Sequence, residues 1–249
     1  MRVIAKGALL ATFVLVGAVA SAQTADDIIE KGIVASGGRE ALAKVTSRAT
    51  TGTMTVTTPG GDITGTIEVL NQAPNKVQTV ITLDLSAMGG GKMTIEQRFD
   101  GMDGYAMNSM QGDTPVTSSQ VDMWRNAIFP SPFLDYKERG TKVELTGKEK
   151  IGDKDVYVLL VTPSKGPPTR LWTDAATYQP VKTVMTVETA ETGPVEQTTL
   201  MSDFREVDGL TLPFKLVGSS AMQSFTVVVT KVEHNVKVDP ARFAKPAAR

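Results

Sequence analysis

From Arg48 onward the chain alternates apolar and polar residues with a period of two, interrupted only by tight-turn chemistry and one insertion. That period puts successive side chains on opposite faces of a strand, so one face can be buried while the other is wetted. Strands are predicted at 50–58, 63–70, 77–85, 92–99 and 105–110, and again at 142–146, 156–162, 170–173, 181–189, 197–206, 210–217 and 225–232. The joints between them are turn-forming: Pro59-Gly60-Gly61-Asp62, Ala73-Pro74-Asn75, Met88-Gly89-Gly90-Gly91, Asp100-Gly101, Gly152-Asp153, Gly166-Pro167-Pro168, Gly193-Pro194 and Asp208-Gly209. Joints this short make consecutive strands antiparallel neighbours, hence a meander. Ten or more such strands in a twisted open sheet curl or close, which leaves a concave inner face. Pro213 inside a strand pattern argues for an edge or a bulge at that point.

Two segments are helical in period. Near the start, Thr24 or Asp26 can cap a helix in which Ile28, Ile29, Ile33 and Val34 recur at helical spacing. Gly37-Gly38 breaks it before a short second turn around Ala41, Leu42 and Val45. In the middle, Thr117-Ser118-Ser119 can cap a helix reaching about Phe129, with Val121, Trp124 and Ile128 on one face. Pro130-Ser131-Pro132 ends it, and Phe133-Leu134-Asp135-Tyr136 begins an apolar turn. The tail at 239–243 reads as one closing helical turn with Phe243 as a peg. The expected fold is therefore dominated by β-structure, within the α+β class: a curved antiparallel half-barrel whose concave face is covered by helices.

The first residues constrain location. Arg2 and Lys6 form a short positive region, Gly7 to Val19 an apolar run, and Ala20-Ser21-Ala22 a small-residue cleavage pattern. The run is short of the roughly 20 apolar residues that a spanning helix needs. Residues 1–22 are thus expected to be a signal peptide cleaved after Ala22, and 23–249 one periplasmic domain that does not span the membrane. The chain has no Cys, so neither a disulfide framework nor an acylated cysteine anchor is available. With 26 basic and 27 acidic residues, two of the basic ones in the leader, the charge balance does not suit nucleic acid.

Several segments together resemble a known group. "IIEKGIVASGGREALAKVTS", "GTIEVLNQAPNK", "GKEKIGDKDVYVLLVTP", "LWTDAATYQPVK" and "SDFREVDGLTLPF" are similar to outer-membrane lipoprotein-sorting-like proteins, in the LolA-like superfamily of periplasmic carriers. The resemblance spans nearly all of residues 23–249. It implies a nearly closed half-barrel with helices as a lid over an apolar cavity that receives acyl chains or other hydrophobic ligands. It also implies an alternative use of the same half-barrel, as a non-catalytic envelope sensing or protein-interaction module with an envelope protein partner.

Candidate ligand-contacting residues follow from the apolar insertion and the clearest strand faces. Trp124, Ile128, Phe129, Phe133 and Leu134 form the expected underside of a lid. Ile81, Leu83, Met93, Ile95 and Phe99 form the expected sheet wall. The competing reading is that these groups simply fill the concave face, as side chains fill small barrels. Met54, Met88, Met93, Met102, Met107, Met110 and Met123 suit either an adaptable apolar surface or ordinary core. Gly89-Gly90-Gly91-Lys92 lacks phosphate-loop spacing and precedes a strand, so a hairpin tip is expected. His234 is the only histidine and is expected at a surface or turn. Neither HExxH nor GxSxG occurs, and Asp100, Asp103, Asp203 and Asp208 read as turn formers. No catalytic residue, metal or cofactor is expected. The expected partner is a lipid or an acylated protein, bound by a monomer.

Overall fold

Twelve of the thirteen strands begin from alternating segments of the kind described above, and they join into one unclosed antiparallel sheet. The computed structural model describes residues 23–189, 193–221 and 223–246. The expected leader and its cleavage point after Ala22 lie outside the described residues. The strands are β1 (Ser47–Thr58), β2 (Gly61–Gln72), β3 (Lys76–Asp84), β4 (Lys92–Phe99), β5 (Gly104–Asn108), β6 (Gly112–Thr114), β7 (Lys142–Ile151), β8 (Lys154–Thr162), β9 (Thr169–Asp174), β10 (Pro180–Thr189), β11 (Gly193–Val207), β12 (Leu210–Ser219) and β13 (Ser224–His234). The helices are α1 (Ala25–Ala35), α2 (Arg39–Ala43) and α3 (Ser118–Asn126).

The strand order is β6-β5-β4-β3-β2-β1-β13-β12-β11-β10-β9-β8-β7. Two meanders, β1–β6 and β7–β13, are thus zipped together by the pairing of β1 with β13. This order has a topological consequence. β6 lies at one edge of the sheet and β7 at the other, yet they are consecutive in the chain. Residues 115–141, which include α3, must therefore run from edge to edge across the open side of the curved sheet.

Cross-strand register defines the inner face. Met54 lies opposite Gly65, Gly65 opposite Leu83, and Leu83 opposite Met93. On the other side of β1, Met54 faces Val227, which faces Leu216. The row of Ile67, Ile81 and Ile95 lies two residues away on the same face, because side chains repeat every second residue. The outer face carries its own smaller cluster of Val156, Val158, Trp172 and Val184. The Lys182 ammonium and the Arg170 guanidinium lie over the Trp172 ring, at 4.3 and 5.5 Å from its centre.

Both longer helices have sequence-coded starts. Thr24 caps α1 and Thr117 caps α3, each through a reciprocal capping box with Asp27 and Gln120 respectively. α3 ends at Asn126, so Ala127 to Phe129, expected to be helical, are irregular connector instead. The buried stripe of α1 is Ile28, Ile29 and Ile33. Val34 is 72% exposed, because one residue beyond Ile33 turns about 100° away from the packed face. Gly37 separates α1 from α2 with φ of 115°, and a Cβ there would sit 2.3 Å from the Gly209 carbonyl oxygen. The tail closes as predicted: Asp239 caps a short turn over Pro240–Arg242, and Phe243 is 1% exposed.

Pro213 occupies the stretch of β12 that β13 does not pair, since their ladder covers only Lys215 to Ser219. Its missing N–H therefore breaks no bond on that side. Three details depart from the sequence reading. β6 is a three-residue polar strand with no apolar alternation to reveal it. Asp203 sits inside β11 with φ of 55° rather than in a turn. His234 is not a surface group: its side chain is 3% exposed, its Nδ1 lies 2.9 Å from Asp208 Oδ2, and its Nε2 has no partner among the described residues.

Candidate functional site

The inner face divides into a covered half and a bare half. In the covered half, Ile28, Ile29 and Ile33 of α1 pack with Leu42, Val45, Phe129 and Tyr136 on Tyr157, Leu159, Leu171 and Leu210 of the sheet. In the bare half, Met54, Val56, Leu83 and Val227 pack with Ile63, Ile67, Ile81, Leu85, Met93, Leu216 and Phe225. All of these come from strands or from the turn after β3.

Between α1, the crossing connector and strands β8 to β12 lies a cavity of about 820 Å³. That volume falls within the roughly 300–1,000 Å³ of sites that hold small organic ligands. Its walls are mostly apolar. Ile28, Ile29 and Ile33 come from α1, Met123, Ile128 and Phe133 from the α3 segment and connector, and Leu171, Met185, Met201, Phe204 and Leu212 from the sheet.

Hydrogen bonds hold the α1 wall at both ends. Asp26 accepts from Tyr136 Oη and, at 2.5 Å, from Lys137 Nζ. Tyr157 Oη donates to Gln23 Oε1 at 2.5 Å, and Gln179 Nε2 donates to the Ala35 carbonyl at 2.7 Å. The bonds from Lys137 and Tyr136 hold the Asp26 carboxyl below its ordinary range, while burial and the neighbouring carboxylate push the Tyr136 phenol upward. The connector is tied through the same Tyr136 and Lys137 bonds to Asp26, through Phe129 N to the Pro74 carbonyl at 2.7 Å, and through Asn126 Nδ2 to the Lys165 carbonyl at 2.8 Å.

Among the described residues the charged groups on the cavity wall are Arg48, Arg125 and Arg139, and no carboxylate lines it. Arg125 is paired with Asp122, and Arg139 Nη2 donates to the Pro132 carbonyl at 2.7 Å. Arg48 lies at the start of β1, with its guanidinium 5.0 Å from the centre of the Phe129 ring. Burial alone lowers its pKa to about 10.

The residues singled out from sequence are distributed over both halves. Ile128 and Phe133 are on the cavity wall, and Leu134 packs against the covered cluster beside Phe133. Phe129 is buried in that cluster. Trp124 is buried against Phe99, with ring centres 6.1 Å apart, and over Gly104. Leu83, Ile81 and Met93 belong to the bare half, and Ile95 stands beside them opposite Ile81. Of the methionines expected there, Met123 lines the cavity, while Met88, Met102 and Met110 are exposed. Met185, Met201, Phe204 and Arg48 were not picked out from sequence. α1 was read as apolar on one face, but which part of the sheet it covers is decided by strand order.

Among the described residues no cluster of three or more His, Cys, Asp or Glu side chains could hold a metal ion, and no helix is long and apolar enough to cross a membrane. No protein-family model matches the sequence, and no curated protein does. Solved structures do share the fold. A LolA superfamily protein from Nitrosomonas europaea superposes with a TM-score of 0.57 at 17% identity, over 90% of this chain and 99% of that one. A DUF1329 family protein from Desulfovibrio piger gives 0.55 at 14% identity, over 88% and 97% of the two chains. A proposed outer membrane lipoprotein-sorting protein domain from Vibrio parahaemolyticus gives 0.51 at 12% identity, over 86% and 97%. The chain thus has the LolA-like fold: a mostly-β, unclosed thirteen-stranded sheet with three short helices.

Proposed function

We propose that this protein is a periplasmic binding or carrier protein for a hydrophobic ligand, such as a lipid or the acyl chains of a lipoprotein. The observation that carries this reading is the apolar cavity of about 820 Å³ between α1, the connector and β8–β12. A chain entering it gains roughly 0.8 kcal/mol per buried CH₂, with no covalent chemistry. The export pattern of the first 22 residues supports a periplasmic location. Its cargo would leave when a partner favours an emptied state, because only differential affinity shifts such an equilibrium. A second reading, a protein-interaction module, draws on the bare half of the inner face. There Ile67, Ile81, Met93 and Leu216 are only half-buried and no helical residue packs with them.

The test uses N-phenyl-1-naphthylamine, a neutral apolar dye that fluoresces when desolvated. Wild-type protein is expected to bind it saturably. Ile128→Asp, which puts a carboxylate on the cavity wall outside the packed cluster, should weaken that binding at least ~tenfold. No saturable binding, together with no lipid in native mass spectra of freshly purified protein, would remove the carrier reading and favour the interaction module.

A further inference from the structure

The charge inside the cavity narrows the ligand beyond "hydrophobic". Three arginines and no Asp, Glu, Lys or His line the wall. Two of the three are already engaged, Arg125 by Asp122 and Arg139 by a backbone carbonyl. The Arg48 side chain has no hydrogen bond or ion pair among the described residues. Its guanidinium carbon lies 5.0 Å from the centre of the Phe129 ring, a cation–π contact that offers the N–H groups no oxygen acceptor. A guanidinium carries five donors in a planar fork that suits carboxylate and phosphate oxygens. Arg48 is half-buried, and drawing such a cation part-way out of water with no acceptor costs stability, so an unpartnered one on an apolar cavity wall needs an explanation. Burial lowers its pKa without any acidic neighbour to offset the shift, yet at about 10 the group stays charged at neutral pH. The neighbours across the strands are Asn71 and His234, and neither is acidic.

We propose that the cavity takes a single-chain amphiphile with one oxyanion head, and that Arg48 binds that head while α1, Ile128 and Phe133 enclose the chain. The inference rests on the carrier reading above and adds the headgroup chemistry and the residue that recognises it. A neutral acyl ester or alcohol would leave the guanidinium unpaired and bind more weakly.

Isothermal titration of the folded protein tests it, using dodecanoate, dodecyl phosphate and 1-dodecanol, each below its micelle concentration and at pH 8. Wild type should prefer at least one of the anionic ligands over dodecanol by ~tenfold or more, the range of a charge-assisted hydrogen-bonded pair. Which of the two is preferred tells a carboxylate source from a phosphate source. In Arg48→Met the affinities for anion and alcohol should come within about twofold of each other, and Arg48→Lys should restore part of the difference. Unchanged melting cooperativity in both variants guards against misfolding. Equal affinities in wild type, or a preference that survives Arg48→Met, would overturn the proposal while leaving the carrier reading standing. Failure of all three ligands to bind wild type would overturn both.

Discussion

The covered and bare halves of the inner face are built from similar strands, yet they hold their apolar groups differently. In the covered half, Leu159 is fully buried and Tyr157, Leu171 and Leu210 nearly so, because α1, α2 and the connector lie on them. In the bare half, Leu83 and Val56 are buried, but Ile63, Ile67, Ile81 and Met93 remain half-exposed. The difference comes from topology rather than composition. The connector spans the sheet from β6 to β7, but its bulky residues Phe129, Phe133 and Tyr136 come late in the crossing and land on the β7 side. α1 precedes β1, yet it too settles over β7 to β9, where Gln23 and Asp26 find Tyr157, Tyr136 and Lys137. One half is thus roofed well enough to enclose a cavity, and the other is an apolar trough.

Matched truncations should expose this difference most strongly. Leu159→Ala removes a side chain with no exposed surface, and a loss of about 2–5 kcal/mol is expected in urea unfolding. Ile81→Ala removes a similar volume from the bare half, where water already reaches part of the side chain, and should cost no more than about 1–2 kcal/mol. Equal losses at the two sites would mean that something shields the trough in solution, and the contrast between the halves would fail.

The join between the halves is the next place to press. α3 reaches the bare half's edge through Trp124, whose ring lies over Gly104 and beside Phe99. A Cβ at Gly104 would come within 2.4 Å of Trp124 Cζ3, so Gly104→Ala must displace the indole. The expected cost is about 1–3 kcal/mol, with a change in tryptophan fluorescence as the ring moves toward water. An unchanged emission maximum would show that α3 does not depend on this seat.

How much of this was legible in the sequence depends on whether a signal was local. Strand positions were readable because Val77 to Leu85 and Met93 to Phe99 alternate and their turns carry Gly, Pro, Asn or Asp. Helix starts were readable because Thr24 and Thr117 stand before apolar periodicity. The location of the cavity was not local information. Met185, Met201 and Phe204 are spread over two strands, and nothing in their own segments says that α1 roofs them. The expected sheet wall of Ile81, Leu83, Met93, Ile95 and Phe99 has the strongest alternation in the chain. Alternation reports a shared face, though, not which part of that face stays empty. Arg48 carried least warning of all, since an arginine near a strand end is ordinarily a solvated group. Only the pairing of β1 between β2 and β13 turns it inward beneath Phe129.

The smallest expected effect tests the tether that holds the roof on the covered half. Asp26 accepts bonds from Lys137 and Tyr136, and these hold its folded pKa below the ordinary carboxylate value. A depressed folded pKa contributes stability that is present above the unfolded value and lost as pH falls through the folded one. Half of the Asp26 side chain is exposed, so solvent screening limits the contribution to no more than about 1 kcal/mol. Asp26→Asn should therefore lower stability slightly at neutral pH, and its unfolding curve should converge on wild type in strong acid, where Asp26 is protonated as well. The same variant should loosen the end of α1 that walls the cavity, so dye binding at neutral pH should weaken along with stability. If stability drops but binding does not, α1 is held in place by its Ile28, Ile29 and Ile33 contacts and the Tyr157 and Gln179 bonds, and the tether to the connector serves the fold rather than the cavity.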